Sequence, residues 1–155
     1  MGLLSQLDKA IQLATMLHAG QVDKNDRPYI LHPLRVMANL PHADETLRII
    51  AVLHDVVEDT GMGLTAILEA FGPEVAKGVD AVTRAPGEKY FDFILRAAEH
   101  PDGRIVKRAD LLDNLGRGEI TPSLRTRYEK AVELLDLPPR VSLFITGREE
   151  ESPMN

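Results

Sequence analysis

The sequence predicts an all-α protein, a compact single-domain helical bundle, and three observations carry that reading. Apolar residues recur at the helical period, as in Leu3, Leu7, Ala10, Ile11, Ala14 and Leu17, and again in Leu64, Ile67, Leu68 and Phe71. No useful length of chain alternates with the period of two that a half-buried strand needs. Glycine and proline fall between the helical stretches and punctuate them.

The first stripe predicts a helix over 3–19, closed by Gly20. Pro33 suits a first turn, where no N–H is needed, and opens 31–40. The run from Ile49 to Val57 is almost wholly apolar and sits in a long helix over 43–60, ended by Gly61 and Gly63. The second stripe fills 63–71; Phe71-Gly72-Pro73 then closes it and starts 73–84. Lys89 and Tyr90 begin an amphipathic helix over 88–99, or else supply a phosphate donor and a base-facing ring. Lys107, Asp110 and Asn114 share a stripe of the helix over 102–116, and 121–136 follows. The count runs from seven to nine helices, the last over 138–147, so residues 1–147 form the domain and the acidic 148–155 a disordered tail.

At 155 residues the chain buries a substantial core as one domain. It has no cysteine, so any metal must be held by His, Asp or Glu, which suits the cytoplasm. The start Met-Gly-Leu-Leu-Ser lacks a basic leader, and no run approaches the roughly 18 apolar residues of a membrane span. The expectation is a cytoplasmic protein with no membrane partner. A formal net charge of −6 argues against a broad nucleic-acid surface, which needs clustered Lys and Arg. A small anionic ligand stays open, with Lys24, Arg27, Arg104, Lys107 and Arg108 near the motifs below, and so does a homo-oligomer.

Chemistry concentrates where the apolar run turns polar, at His54-Asp55-Val56-Val57-Glu58-Asp59. An imidazole and a carboxylate in such surroundings cost several kcal/mol, on the order of other buried polar groups, unless something compensates them. A divalent cation does so, because neutral imidazole and carboxylate are both good ligands. Helical spacing puts Leu47, Ile50 and Ala51 on one face with His54, Asp55 and Glu58. His32, just before Pro33, and Asp110 sit in similarly apolar segments. Two His and two Asp form a nitrogen and oxygen set that suits Mn²⁺, Fe²⁺ or Zn²⁺ and favours hydrolysis, with Glu58 and Asp59 near enough to orient a water and relay its proton. Taken singly, His32 reads more readily as a cap or core residue than as a ligand, and Asp110 more so still; spacing alone does not bring these segments together.

The stretches LHAGQ at 17–21, RPYILHPLRV at 27–36, IIAVLHDVVEDT at 49–60, FGPEVAKGVDAVTR at 71–84 and RIVKRADLLDNL at 104–115 resemble the HD superfamily of metal-dependent phosphohydrolases. More narrowly, they resemble the hydrolase domain of Rel/Spo alarmone enzymes and the small alarmone hydrolases. The resemblance implies metal ligands at His32, His54, Asp55 and Asp110, with Mn²⁺ the usual ion and Fe²⁺, Zn²⁺ or Co²⁺ as alternatives. It implies that Glu58 and Asp59 serve the attacking water, that Lys24, Asn114 and Tyr128 contact a small anionic nucleotide, and that His18 lies beside the site; Lys107, on one stripe with Asp110 and Asn114, is expected to join the substrate contacts. The reaction implied is removal of pyrophosphate from the 3′ position of guanosine tetra- or pentaphosphate, a metal-activated water attacking phosphorus. The alternatives are another nucleotide or phosphate ester as substrate, or a non-catalytic nucleotide-sensing module.

Two departures bear on the pocket. Asp23 precedes Lys24 where the family carries a basic pair whose Arg frames the guanine, and the usual ADRLHNLR reads Ala109-Asp110-Leu111-Leu112-Asp113-Asn114-Leu115-Gly116.

Overall fold

The computed structural model describes residues 2–138. Within them the chain forms nine helices and no strand, so the all-α expectation holds. They are α1 (Gln6–Leu17), α2 (Leu31–Ala38), α3 (Glu45–Leu53), α4 (Val56–Asp59), α5 (Leu64–Phe71), α6 (Pro73–Ala81), α7 (Tyr90–Glu99), α8 (Pro101–Gly116) and α9 (Pro122–Asp136). The helix expected over 138–147 and the tail over 148–155 lie outside the described residues.

Local chemistry sets most of these boundaries. Ser5 opens α1 with a capping box: its hydroxyl accepts the Asp8 N–H while the Asp8 carboxylate accepts the Ser5 N–H. Asp44 caps α3 by accepting the Leu47 N–H at 2.8 Å. Pro73, Pro101 and Pro122 each open a helix where a missing N–H costs nothing.

The continuous helix expected over 43–60 is corrected: it breaks at His54-Asp55. The His54 N–H reaches back only three residues, to the Ala51 carbonyl, and four-residue spacing resumes with Asp59 N–H to the Asp55 carbonyl at 2.9 Å. The apolar run gave no signal of this turn, because residues on both sides of it are buried. Smaller trims fall at helix ends: α6 stops at Ala81 rather than 84, and α7 starts at Tyr90 rather than 88.

Two apolar clusters build the interior. The larger packs α1, α2, α3, α5 and α6 around Ile50, Leu53, Ile67 and Val79. The smaller packs α7, α8 and α9 around Phe93, Ile94, Leu111 and Leu135. Helix α8 belongs to both, giving Val106 to the first and Leu111 to the second. Ile50, Leu53, Ile67 and Ile94 are fully shielded, each worth about 1.5–3 kcal/mol of transfer free energy. Gly78 lets α6 close onto α3: a methyl group there would stand 2.8 Å from Ile50 Cγ1.

Candidate metal centre

His54 is positioned by its own helix. As the last residue before the break it is 1% exposed, and its Nδ1 lies 2.7 Å from the Ala51 carbonyl. A carbonyl only accepts, so Nδ1 carries a proton, and in the neutral imidazole Nε2 is a bare lone pair. The turn swings Asp55 back beside it, with Oδ2 at 3.1 Å from that Nε2.

His32, in the first turn of α2, is 2% exposed, and its Nδ1 lies 2.6 Å from Asp113 Oδ2 on α8. Its Nε2 points at the same spot, 3.2 Å from His54 Nε2, 3.5 Å from Asp55 Oδ2 and 3.0 Å from Asp110 Oδ1. Asp110, on the inner face of α8, closes the ring at 3.5 Å from His54 Nε2. Among the described residues, the ligand atoms of His32, His54 and Asp110 all lie within 4.8 Å of one another.

With both imidazoles neutral these atoms are acceptors facing acceptors, an arrangement that repels unless positive charge, a proton or a cation, sits among them. A metal bonded at about 2.1 Å to each ligand sets its neighbouring ligands roughly 3.0–3.4 Å apart, and the separations here are 3.0–3.5 Å. The donor set therefore fits a divalent cation.

The electrostatics show that this point attracts positive charge, whether a proton or a cation. Burial opposes the charged imidazole of His54, yet the carboxylates of Asp55 and Asp110 outweigh it and push its pKa well above the ordinary value. Burial would raise Asp110, but Lys107 and the two imidazoles hold it well below the carboxylate range. Asp55 is likewise lowered, to about 2: burial works against this and His54 overrides it.

The other expected site residues divide into three groups. Lys107 and Asn114 face the centre through Asp110: the Lys107 ammonium lies 2.7 Å from Oδ2, and the Asn114 amide donates to Oδ1 at 2.9 Å. Lys24, Asn114 and Tyr128 line one cavity of about 250 Å³, with Tyr29 and Arg117. Glu58 and Asp59 line a different one of about 810 Å³, with Arg84 and Lys89. Glu58 accepts the Arg84 backbone N–H. Both carboxyls stand at the rim, and desolvation together with Asp55 pushes both above the ordinary carboxylate range.

Asp23 reads differently in three dimensions. Its Oδ1 accepts the N–H groups of Asn25 at 2.8 Å and Arg27 at 3.1 Å, so the carboxylate shapes the 21–29 hairpin that carries Lys24. That hairpin is pinned to the end of α8 by the Asn25 amide, which donates to the Arg117 carbonyl at 3.0 Å. His18 is buried, with Nδ1 2.8 Å from Gln21 Oε1 and its ring 5.1 Å from that of Tyr29.

Sequence reasoning missed Tyr29 as a site residue. Its hydroxyl donates to Asp55 Oδ2 at 2.6 Å, joining the hairpin to the centre. Its only signal was a place three residues before His32 in an apolar segment.

Known proteins resemble this chain. The HD domain family matches residues 10–110. A probable GTP pyrophosphokinase of Mycobacterium leprae is 37% identical over 145 residues, covering 86% of this chain and 18% of the relative. A guanosine-3′,5′-bis(diphosphate) 3′-pyrophosphohydrolase of Aquifex aeolicus is 38% identical over 121 residues, covering 71% of this chain and 17% of the relative. The chain thus spans less than a fifth of the length of either. A solved structure described as a metazoan ortholog of SpoT that hydrolyzes ppGpp superposes with a TM-score of 0.73 at 25% identity, covering 95% of this chain and 98% of that one. With its His-Asp pair seated at a buried nitrogen and oxygen centre, the chain belongs to the HD domain family.

Proposed function

We propose that this protein is a metal-dependent phosphohydrolase of the alarmone type, removing pyrophosphate from the 3′ position of guanosine tetra- or pentaphosphate, with Mn²⁺ as its ion and the cytoplasm as its place of action. The observation that carries the proposal is that the Nε2 atoms of His32 and His54 lie 3.2 Å apart and that one carboxylate oxygen each of Asp55 and Asp110 stands 3.0–3.5 Å from both. Relatives whose names specify alarmone hydrolysis support the substrate.

His32, His54, Asp55 and Asp110 hold the ion, which when bound lowers the pKa of water and polarises a phosphoryl oxygen. Lys107 offsets the charge of Asp110 and keeps it ionised. Glu58 and Asp59, raised above the usual carboxylate range, are suited to accept a proton from the attacking water. Lys24 and Tyr128 flank a cavity of a size suited to a base, with Asn114 at its inner edge.

A second reading, hydrolysis of another nucleotide or phosphate ester, has its own support. Asp23 spends Oδ1 on the hairpin, and Leu111, where the family carries Arg, is buried in the smaller core. The deciding experiment incubates purified protein with Mn²⁺ and ppGpp, pppGpp, nucleoside triphosphates and simple phosphate esters, with Asp55→Ala as control. Pyrophosphate and GDP from ppGpp, absent in the control, are expected. Cleavage of a different compound alone would shift the substrate, and no cleavage of any would favour a nucleotide-sensing module.

A further inference from the structure

Asp113 stands outside the ligand set, yet it touches one of its members more closely than anything else does. We infer that Asp113 is a positioning residue for the metal centre: its carboxylate fixes the His32 proton on Nδ1 and so presents the Nε2 lone pair to the ion. This rests on the metal reading above and is independent of which substrate is cleaved.

Asp113 Oδ2 lies 2.6 Å from His32 Nδ1, and among the described residues Nδ1 has no other hydrogen-bond partner. An ionised carboxylate accepts only, so the single proton of a neutral imidazole must sit on Nδ1. Nε2 is then left bare at 3.0 Å from Asp110 Oδ1 and 3.2 Å from His54 Nε2, as a ligand requires.

Two guanidiniums fix the Asp113 carboxylate in place against His32. Arg35 Nε lies 2.8 Å from Oδ1 and Arg35 Nη2 3.2 Å from Oδ2, while Arg117 Nε lies 3.3 Å from Oδ2. The Asp113 side chain is only 6% exposed, and these partners stand where water otherwise would. The role falls on a residue where the family pattern quoted above carries His.

The competing account is that Asp113 merely staples α2 to α8 through Arg35. Three variants of the full chain separate the two: Asp113→Ala, Asp113→Asn and Arg35→Met. The first readout is Mn²⁺ and Zn²⁺ affinity by chelator competition; the second is the His32 tautomer in metal-free protein by ¹⁵N NMR.

Asp113→Ala is expected to lower metal affinity roughly 10–100-fold, the usual effect of losing such a partner, with turnover recovering at excess metal. Its His32 proton should spread over both nitrogens. Asp113→Asn, whose amide oxygen still accepts, should keep part of the affinity, and it carries the test if the alanine variant does not fold. Arg35→Met breaks the staple but leaves the His32 bond and the Arg117 contact, so Tm should drop while metal affinity falls clearly less than in Asp113→Ala. Undiminished affinity in both Asp113 variants, or an equal loss in Arg35→Met, would overturn the inference alone. Wild-type protein that binds no divalent ion would overturn the metal reading and this inference together.

Discussion

His32 and His54 present the same atom to the same point, but they are held there by different means. His54 takes its orientation from the Ala51 carbonyl three residues back, a bond any histidine at that turn could make. His32 takes its orientation from a carboxylate 81 residues away on another helix. One imidazole is placed locally and the other only when the whole bundle closes. The two halves should therefore fail differently.

The largest effect is expected where the local half is broken directly. Asp55→Ala removes the carboxylate beside His54, so turnover should fall to background and metal content by elemental analysis should fall with it. A variant that keeps full metal and full turnover would show that Asp55 is dispensable and that the centre reduces to His32, His54 and Asp110.

Next in size is Glu58→Gln, which leaves both halves intact. Turnover is expected to fall by about 10²–10⁴, the range for loss of a general acid or base, with metal content unchanged. Loss of metal instead would move Glu58 from proton transfer to ligation.

Gly78→Ala tests the floor under the local half. The added methyl meets Ile50, one turn before His54, and overpacking of this kind costs about 1–3 kcal/mol. A lower Tm by calorimetry is expected, whereas unchanged stability would mean that Ile50 can turn aside.

Tyr29→Phe probes the tie between the halves. Removing the 2.6 Å bond to Asp55 should weaken metal binding about tenfold, as for a hydrogen bond to a charged group. Metal titration of the variant reads this directly.

The smallest effect concerns the loop that supplies Arg84 to Glu58. Arg96 holds that loop through Glu88 at 2.8 Å and the carbonyls of Asp80 and Thr83. Hydrogen bonds from Arg96 lower the Glu88 pKa. A depressed folded-state pKa contributes stability above the unfolded value of about 4.3 that is lost as pH falls through the folded one. Arg96→Met should therefore lower Tm at neutral pH and converge toward wild type in acid. A constant offset from pH 7 to pH 2.5 would mean that Arg96 acts through its neutral contacts alone.

How much of this was legible depends on the range of the interaction. The apolar stripes marked α1 and α5, and the glycines and prolines marked helix ends, because periodicity and backbone sterics act within a few residues. The His54-Asp55 pair stood out because charge inside an apolar run demands a partner. The break at that pair was not legible, since its cause is the need to aim both side chains at groups on α2 and α8. Asp23 drew attention as an altered pocket residue and turned out to shape a hairpin, a role that needs the positions of two backbone N–H groups.

The sequence by itself determined the helical class, the chemical character of the candidate ligands and the exclusion of thiolate chemistry. Residue type and short-range spacing are enough for those. Only the tertiary structure decided that His32, His54, Asp55 and Asp110 meet, that Tyr29 and Asp113 hold them, and that Lys24 and Tyr128 share a cavity that Glu58 does not line. These are contacts between segments tens of residues apart, fixed by how α2, α3 and α8 pack, and no local pattern encodes a distance across a core.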